Sequence, residues 1–242
     1  MDKKELEIMS PAGNFECLYA AIQGGADSVY FGVGNLNMRS HSANNFTPDD
    51  LPRIVEVCRE YGVKTYMTLN IVLYGEDLAP MREALDAAKA AGVNAIIASD
   101  MAAITYCREI GLEVHISTQL NVSNVEALRF YSRFADVIVL ARELNLRQVK
   151  EIHEAIVRDG IKGPSGELVR IEMFAHGALC MAVSGKCYLS LPTVTPATSF
   201  AAVAMRSPTL RPARNLTSTI STSCRLRICV PLSSWTRSSM RA

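Results

Sequence analysis

The sequence predicts an α/β fold, a TIM-like parallel (β/α) barrel, and three observations support this prediction. Short apolar or β-branched runs alternate with amphipathic helical segments, and a glycine often precedes the next run. The runs are apolar on consecutive residues, which is typical of parallel strands covered on both faces. Seven such units precede residue 175, a number that favours a closed barrel over an open sheet.

The predicted elements alternate regularly along the chain. Strands are expected at residues 7–10, 28–31, 65–69, 95–98, 114–117, 137–140 and 168–174, and helices at 14–21, 47–61, 77–91, 101–110, 122–134 and 146–158. The second helix has the clearest start, because Thr47 can cap it, Pro48 suits its first position and acids follow in its first turn.

The sequence shows no eighth strand. We therefore expect an incomplete barrel of about seven βα units, with an open seam between the first and seventh strands. An open doubly wound sheet is the alternative, although the glycine-rich phosphate fingerprint expected after its first strand is missing, since residues 10–14 contain one Gly.

Charge divides the chain into two parts. The 242 residues are 49% hydrophobic, enough for a large core, and carry a formal net charge of +1. From Leu191 onward there are seven Arg but no Lys, Asp or Glu, so residues 1–190 carry a net charge of −6. We predict a barrel domain at 1–190 and a disordered tail at 191–242. A natural basic linker that touches nucleic acid is the alternative interpretation of the tail.

The amino-terminal residues carry charges where a secretory signal needs an apolar run, and no apolar run is long enough to span a bilayer. These features predict a cytoplasmic protein without membrane contact. Seven Cys residues in a reducing compartment argue against a disulfide framework. Buried thiols, metal ligands and catalytic thiols therefore all stay open.

Polar residues follow the ends of the predicted strands, where a barrel of this type places its chemistry. Together they predict a mouth that binds a polar, anionic small molecule, with Arg39 and Arg142 as clamps. The candidate substrate-binding residues are Arg39, Asn45, Asn70, Asp100, Gln119, Arg142, Glu143 and His176. Each has an ordinary structural alternative: Asp100 and Asn121 can cap helices, and Arg142 with Glu143 can form a rim salt bridge.

The other histidines are expected to have structural roles. His115 lies in the middle of a predicted strand and should be a satisfied core residue, whereas His41 should lie in a loop and His153 on a helix surface.

Cys180 and Cys187 are the sharpest local feature of the sequence. Six residues separate them, which does not fit the tight pair spacing of structural zinc sites. They could still form half of a four-thiolate iron–sulfur site. From the spacing alone, two buried structural thiols are the preferred interpretation.

The stretch around these cysteines resembles the signature of peptidase family U32. It reads Glu172-Met-Phe174-Ala-His-Gly177-Ala-Leu-Cys180-Met-Ala-Val-Ser-Gly185-Lys-Cys187-Tyr-Leu-Ser190 and agrees with that signature at every fixed position. Earlier segments resemble the family too, among them Ser10-Pro-Ala-Gly, Gly25-Ala-Asp-Ser-Val-Tyr-Phe-Gly32, Leu36-Asn-Met-Arg39, Ser117-Thr-Gln119 and Ala141-Arg-Glu-Leu144. The resemblance covers residues 1–190 and implies a (β/α) barrel.

For function, the resemblance implies more than one activity. The family is named for collagenase-like peptidases, yet the sequence contains no His-Glu-x-x-His or Gly-x-Ser-x-Gly motif. Other relatives take part in oxygen-independent hydroxylation, of a tRNA wobble uridine using prephenate, of a 23S rRNA cytidine and of a ubiquinone precursor. In those relatives four Cys hold a [4Fe–4S] cluster, and Cys180 and Cys187 match the first two.

We therefore expect the intact protein to be a tRNA or rRNA pyrimidine hydroxylation factor with a prephenate-like anionic co-substrate. A collagenase-like peptidase and a non-catalytic partner subunit of a hydroxylation complex are the alternatives. The resemblance does not identify catalytic residues.

The resemblance ends after Ser190. The family continues with Gln-x-Cys-Arg-Arg and later Ser-Pro-Lys-Asp-Leu-Cys, which supply the other two thiolates. Read one base back, the codons of residues 223–232 can spell Met-Ser-Pro-Lys-Asp-Leu-Cys-Thr-Ile, and those of residues 200–205 can spell Cys-Arg-Arg-Arg-Tyr. We infer a frameshift shortly after Ser190. Because two thiolates cannot hold a four-iron cluster, we expect this truncated chain to fold poorly and to be inactive.

Overall fold

Seven parallel strands follow one another in chain order, and each pairs with the next. The computed structural model of the protein describes residues 6–37, 46–176 and 183, and the backbone of residues 227–230. The strands are β1 Glu7–Pro11, β2 Ser28–Gly32, β3 Lys64–Leu69, β4 Ala95–Ala98, β5 Glu113–Ile116, β6 Val137–Val139, β7 Arg170–Phe174 and β8 Arg227–Val230. The helices are α1 Phe15–Gln23, α2 Leu51–Glu60, α3 Leu78–Ala91, α4 Met101–Ile110, α5 Val125–Tyr131 and α6 Leu146–Asp159.

Alternate residues of each strand serve two different cores. Residues such as Val29, Phe31 and Met67 face the helices and join one large apolar cluster with the inner helix faces. Met9, Tyr30 and Tyr66 belong to a second, separate cluster inside the barrel. This arrangement confirms the predicted barrel of alternating strands and helices.

Side chains cap four of the helices at their amino termini. Asn14, Asp100, Asn124 and Asn145 accept hydrogen bonds from backbone N–H groups two or three residues ahead. These caps satisfy donors that a helix leaves without internal partners. Since each helix begins where the preceding strand ends, the caps all lie at the carboxyl end of the barrel strands.

The predicted helix at 122–134 is too long at both ends. Residues Thr118–Leu120 form a single 3₁₀ turn, and Asn121 follows with a left-handed φ of 55°. Asn124 then caps α5, which ends at Tyr131. Asparagine tolerates the left-handed region better than most residues, so the chain reverses here rather than continuing as a helix.

The prediction of a surface position for His153 is wrong. His153 is buried on the inner face of α6, together with Val149, Ile152 and Ile156. These positions follow the i, i+3, i+4, i+7 spacing of one helix face. The imidazole therefore packs with the apolar residues that cover the barrel.

The predicted open seam between β1 and β7 is also wrong. β8 lies between them and is antiparallel to both, so that Ile228 is opposite Ile8 on one side and Met173 on the other. Two strand edges with unpaired backbone groups attract any extended segment within reach, and residues 227–230 include two β-branched residues that favour a strand. The described residues thus form a closed barrel, and part of the tail belongs to it.

None of the helices in the described parts of the chain is long and apolar enough to cross a membrane.

The position of β8 predicts a specific effect of proline. Ile228→Pro removes a backbone N–H between two paired strands, so we expect the free energy of unfolding to fall by about 1–3 kcal/mol. Urea denaturation of the full chain, followed by circular dichroism, measures the change. Ser221→Pro, outside β8, is the control for an added proline in the tail. Equal stability of the two variants would contradict a barrel closed by β8.

Candidate functional site

Four side chains from alternate strands meet inside the barrel. The Tyr66 hydroxyl on β3 donates a hydrogen bond of 2.5 Å to Oε1 of Glu7 on β1. The Tyr66 ring lies 4.6 Å from the imidazole of His115 on β5, and Nδ1 of His115 lies 3.8 Å from Oε2 of Glu172 on β7. Because these strands are not neighbours in the sheet, the contacts cross the interior, which barrels of this kind fill in layers from alternate strands.

Two salt bridges lie beside this row. Nζ of Lys64 is 2.7 Å from Oε2 of Glu7, and Arg170 is 2.9 Å from Oε1 of Glu113. The same Glu113 oxygen lies 3.4 Å from Nε2 of His115. His115 is therefore flanked by carboxylates at both ring nitrogens, while its side chain is only 1% exposed and that of Glu172 is 0% exposed.

The pKa directions reflect these contacts. Burial acts to raise the pKa of Glu7, but hydrogen bonds from Lys64 and Tyr66 outweigh it and leave the pKa below the ordinary value. The contact with His115, and then Arg170, lowers the pKa of Glu113. Burial acts to lower the pKa of His115, but Glu113 and Glu172 together raise it. These contacts thus favour a protonated imidazole at His115 and an ionised carboxylate at Glu113.

The mouth of the barrel contains three of the predicted polar residues in different settings. Asn70 is buried and Gln119 is half-buried, where it accepts a hydrogen bond from the hydroxyl of Ser117. Asp100 accepts hydrogen bonds from the N–H groups of Ala102 and Leu73. Asp100 therefore caps α4 and holds the loop before α3. Capping was the structural alternative to substrate binding for this residue.

Arg142 is the predicted clamp that the structure describes. It is half-buried, and its guanidinium carbon lies 5.5 Å from the ring centroid of Phe174, at the carboxyl end of β7. This distance corresponds to a cation–π contact. Glu143 and His176 are exposed near the same end. Arg39, the second predicted clamp, and Asn45 lie outside the described residues, as does His41.

The loop that leads to Arg39 depends on a close approach at Gly32. A Cβ atom at Gly32 would lie 2.5 Å from Cγ of Asn37. Asn37 is buried, and its Nδ2 donates a hydrogen bond of 3.1 Å to the carbonyl of Gly34. Only glycine at the end of β2 leaves space for this amide.

The described thiols do not form a metal site. Cys58 on α2 and Cys107 on α4 lie in the apolar layer between helices and barrel, and burial raises the pKa of Cys58 to about 11 and that of Cys107 to about 12. Such thiols are poor nucleophiles and poor ligands. In the described parts of the chain, no three His, Cys, Asp or Glu side chains are placed to hold a metal ion. Cys180 and Cys187 lie outside those parts, so their assignment as cluster ligands stays a prediction.

Sequence reasoning missed most of the interior row. Glu7, Tyr66, Glu113 and Glu172 were not among the predicted site residues. His115 was expected to be a satisfied core residue; it is buried, but neither ring nitrogen makes a hydrogen bond to the described residues. A signal was present, because Glu172 is a charged residue within the apolar run Ile171-Glu172-Met173. A carboxylate at such a position needs a partner inside the fold.

The fold is a (β/α) barrel with polar residues at the carboxyl ends of its strands. The model of peptidase family U32 matches residues 13–194, and the chain belongs to this family. Among solved structures, that of the U32 peptidase Mk0906 is similar to this chain, with a TM-score of 0.51 and 19% sequence identity. The similarity covers 60% of this chain and 63% of that chain. At this identity the likeness shows the fold alone.

The curated relatives have two kinds of name. Collagenase from Porphyromonas gingivalis is 68% identical over 79% of this chain and 46% of its own length. tRNA hydroxylation protein P1 from Bacillus subtilis is 37% identical over 77% of this chain and 42% of its own length. 23S rRNA 5-hydroxycytidine C2501 synthase from Escherichia coli is 37% identical over 76% of this chain and 26% of its own length. The chain spans less than half of the length of these relatives.

The contact at Gly32 yields a prediction for the loop after β2. We expect Gly32→Ala to lower the free energy of unfolding by about 1–3 kcal/mol, because the new methyl group overlaps the buried Asn37 side chain. Gly75→Ala is the matched control, since a Cβ at Gly75 has no atom within 4 Å. Urea denaturation compares the two variants. Equal midpoints would show that the loop can move without cost.

Proposed function

We propose that the protein is the barrel half of an RNA hydroxylation factor that acts on a tRNA or rRNA pyrimidine. Relatives named for tRNA hydroxylation and for 23S rRNA hydroxycytidine synthesis support this proposal. The observation that carries it is Arg142, which is held on the Phe174 ring at the mouth, where Asn70 and Gln119 also lie.

In this proposal the mouth binds a small anionic co-substrate. A guanidinium pairs with a carboxylate through two parallel N–H donors, and contact with an aromatic ring limits its movement. The amide groups of Asn70 and Gln119 can donate to the same ligand or accept from its hydroxyl groups. Arg142 therefore binds and orients the anion, while the two amides select its polar pattern.

The proposal includes a [4Fe–4S] cluster, and Cys180 and Cys187 would supply two of its four ligands. When bound, a [4Fe–4S] cluster supplies electron transfer. The other two thiolates would come from the continuation that the relatives have after this region. Because the family match ends at residue 194, we also propose that the reading frame changes near Ser190. Residues 1–190 are net acidic, so RNA phosphate contacts would lie mainly in that continuation.

Nucleoside analysis tests the proposed reaction. Total tRNA and rRNA are digested from a strain that lacks the gene and from the same strain expressing the gene with its reading frame restored after Ser190. We expect mass spectrometry to detect one hydroxylated pyrimidine only in the second strain. Arg142→Ala in the restored gene should lower that signal at least about tenfold, because the anion loses its charged partner.

Arg147→Ala is the matched control, because Arg147 is an exposed residue of α6 that pairs with Glu151 on the same helix. It should leave the nucleoside signal unchanged. Identical hydroxypyrimidine profiles with and without the restored gene would reject the proposal.

A collagenase-like peptidase is the second candidate, and the 68% identity to a relative of that name favours it. Three of the described candidate nucleophiles are poorly suited to it, because Cys58 and Cys107 are buried with raised pKa values and the Ser117 hydroxyl is bonded to Gln119. We expect the purified, metal-free protein to leave fluorescent gelatin intact. Cleavage that disappears on Arg142→Ala but persists in Arg147→Ala would instead establish a peptidase that uses this mouth.

A further inference from the structure

The pairing between β5 and β6 is interrupted at the mouth of the barrel. Ile116 on β5 is opposite Ile138 on β6. A regular continuation would place Thr118 opposite Leu140, but Val122 takes that position instead. Four extra residues are therefore inserted on the β5 side. Insertions of this kind redirect side chains and are common beside functional sites.

Residues 117–121, the β5 excursion, contain these extra residues. Among the described residues other than glycine, Asn121 alone has a positive φ, of 55°. Backbone in this region is held against a free-energy cost and occurs mainly at functional sites. The excursion includes Gln119, which is half-buried at the mouth. The strained turn thus moves Gln119 out of the strand pairing and into the proposed site.

Backbone hydrogen bonds fix both ends of the β5 excursion. At its start, the N–H of Ser117 donates to the carbonyl of Ala98 on β4 at 2.8 Å. Directly after its end, the carbonyl of Val122 accepts from the N–H of Ala141 at 2.9 Å. The excursion is therefore a loop of fixed span, joined to the strands on either side of β5.

Thr118 adds a side-chain bond between the excursion and the segment that leads to Arg142. Its hydroxyl donates to the carbonyl of Leu140 at 3.3 Å, and both residues are buried. The N–H of Leu140 is bonded to the carbonyl of Glu172 on β7, so this anchor is itself fixed. Gln119 follows Thr118 directly in the chain. Arg142 lies two residues after Leu140.

We propose that Thr118 is a positioning residue of the mouth, whose hydroxyl holds the Gln119 amide and the Arg142 guanidinium in one fixed arrangement. The inference rests on the proposed function for its ligand, a small anion. Thr118 is only 3% exposed, so it acts through its neighbours in the chain. An amide and a cation at constant separation select a ligand by the spacing of its polar groups, because less ordering is needed on binding.

Nuclear magnetic resonance of the full chain with ¹⁵N-labelled glutamine measures how firmly Gln119 is held. The chain has three Gln residues, and the side-chain signals missing from Gln119→Glu identify Gln119. We expect its amide to be ordered on the nanosecond timescale, unlike that of the exposed Gln23. Thr118→Val removes the hydroxyl at similar volume and should raise the mobility of Gln119 towards that of Gln23. Thr118→Ser should keep Gln119 ordered.

Thr105→Val is the matched control, because the exposed hydroxyl of Thr105 also donates to backbone carbonyls, those of Met101 and Ala102 on α4. It should leave the Gln119 amide unchanged. A Gln119 amide that is as mobile as that of Gln23 in the wild type would overturn the proposal. Equal order of Gln119 in Thr118→Val and Thr105→Val would do the same.

The nucleoside assay with the restored gene tests whether this arrangement matters for the reaction. Thr118→Val should lower the hydroxypyrimidine signal about tenfold, since a small misplacement of a binding group is costly. Thr118→Ser should retain most of the signal. In an Arg142→Ala background, Thr118→Val should have less than about a twofold further effect, because no guanidinium remains to be aligned. A merely structural role would give the same loss in both backgrounds.

The outcomes separate this inference from the proposed function. A full signal in Thr118→Val, together with a lost signal in Arg142→Ala, would overturn the positioning role and leave the proposed function intact. Equal losses from Thr118→Val in both backgrounds would also overturn it. An absence of hydroxypyrimidine from every restored strain would reject the proposed function. An order of Gln119 that depends on the Thr118 hydroxyl would then still support the joined loops.

Discussion

Alternate residues of a barrel strand point to opposite sides of the sheet, and this constraint divides the buried side chains into two chemically different sets. The outward set, such as Val29, Phe31 and Met67, is apolar and packs against helices. The inward set includes Glu7, Tyr66, His115 and Glu172, which contact one another across the interior. Because no helix covers the inward set, its polar groups find their partners on other strands of the same barrel.

The sequence predicted the seven parallel strands closely, because each is a short apolar run with a polar segment on either side. The ends of α3, α4 and α6 were equally clear, since Gly92, Gly111 and Gly160 terminate them in the left-handed conformation. β8 could not be predicted in this way. Its partners are more than 50 residues away or at the other end of the chain, and a run of four residues has no local signal strong enough to indicate such pairing.

The candidate site was harder to predict than the fold. Helix capping and ligand binding both require polar residues after a strand, so the pattern alone does not separate them. Asp100 was predicted to bind substrate, but its carboxylate accepts hydrogen bonds from the backbone N–H groups of Ala102 and Leu73. Arg142 lies 5.5 Å from the ring centroid of Phe174, a residue on a different strand. Only the closed barrel brings this pair, and the row around His115, together.

β7 makes contacts at the amino end, in the centre and at the mouth of the barrel. Its alternate residues Arg170, Glu172 and Phe174 contact Glu113 at the amino end, His115 in the centre and Arg142 at the mouth. A shift of the strand by one residue would turn all three side chains to the helix side. The register of β7 is therefore supported by a salt bridge, a buried contact between His115 and Glu172, and a cation–π contact. The residues that follow Phe174 continue from the same strand register. The contacts of Arg170 and Glu172 inside the barrel therefore help to position these residues at the mouth.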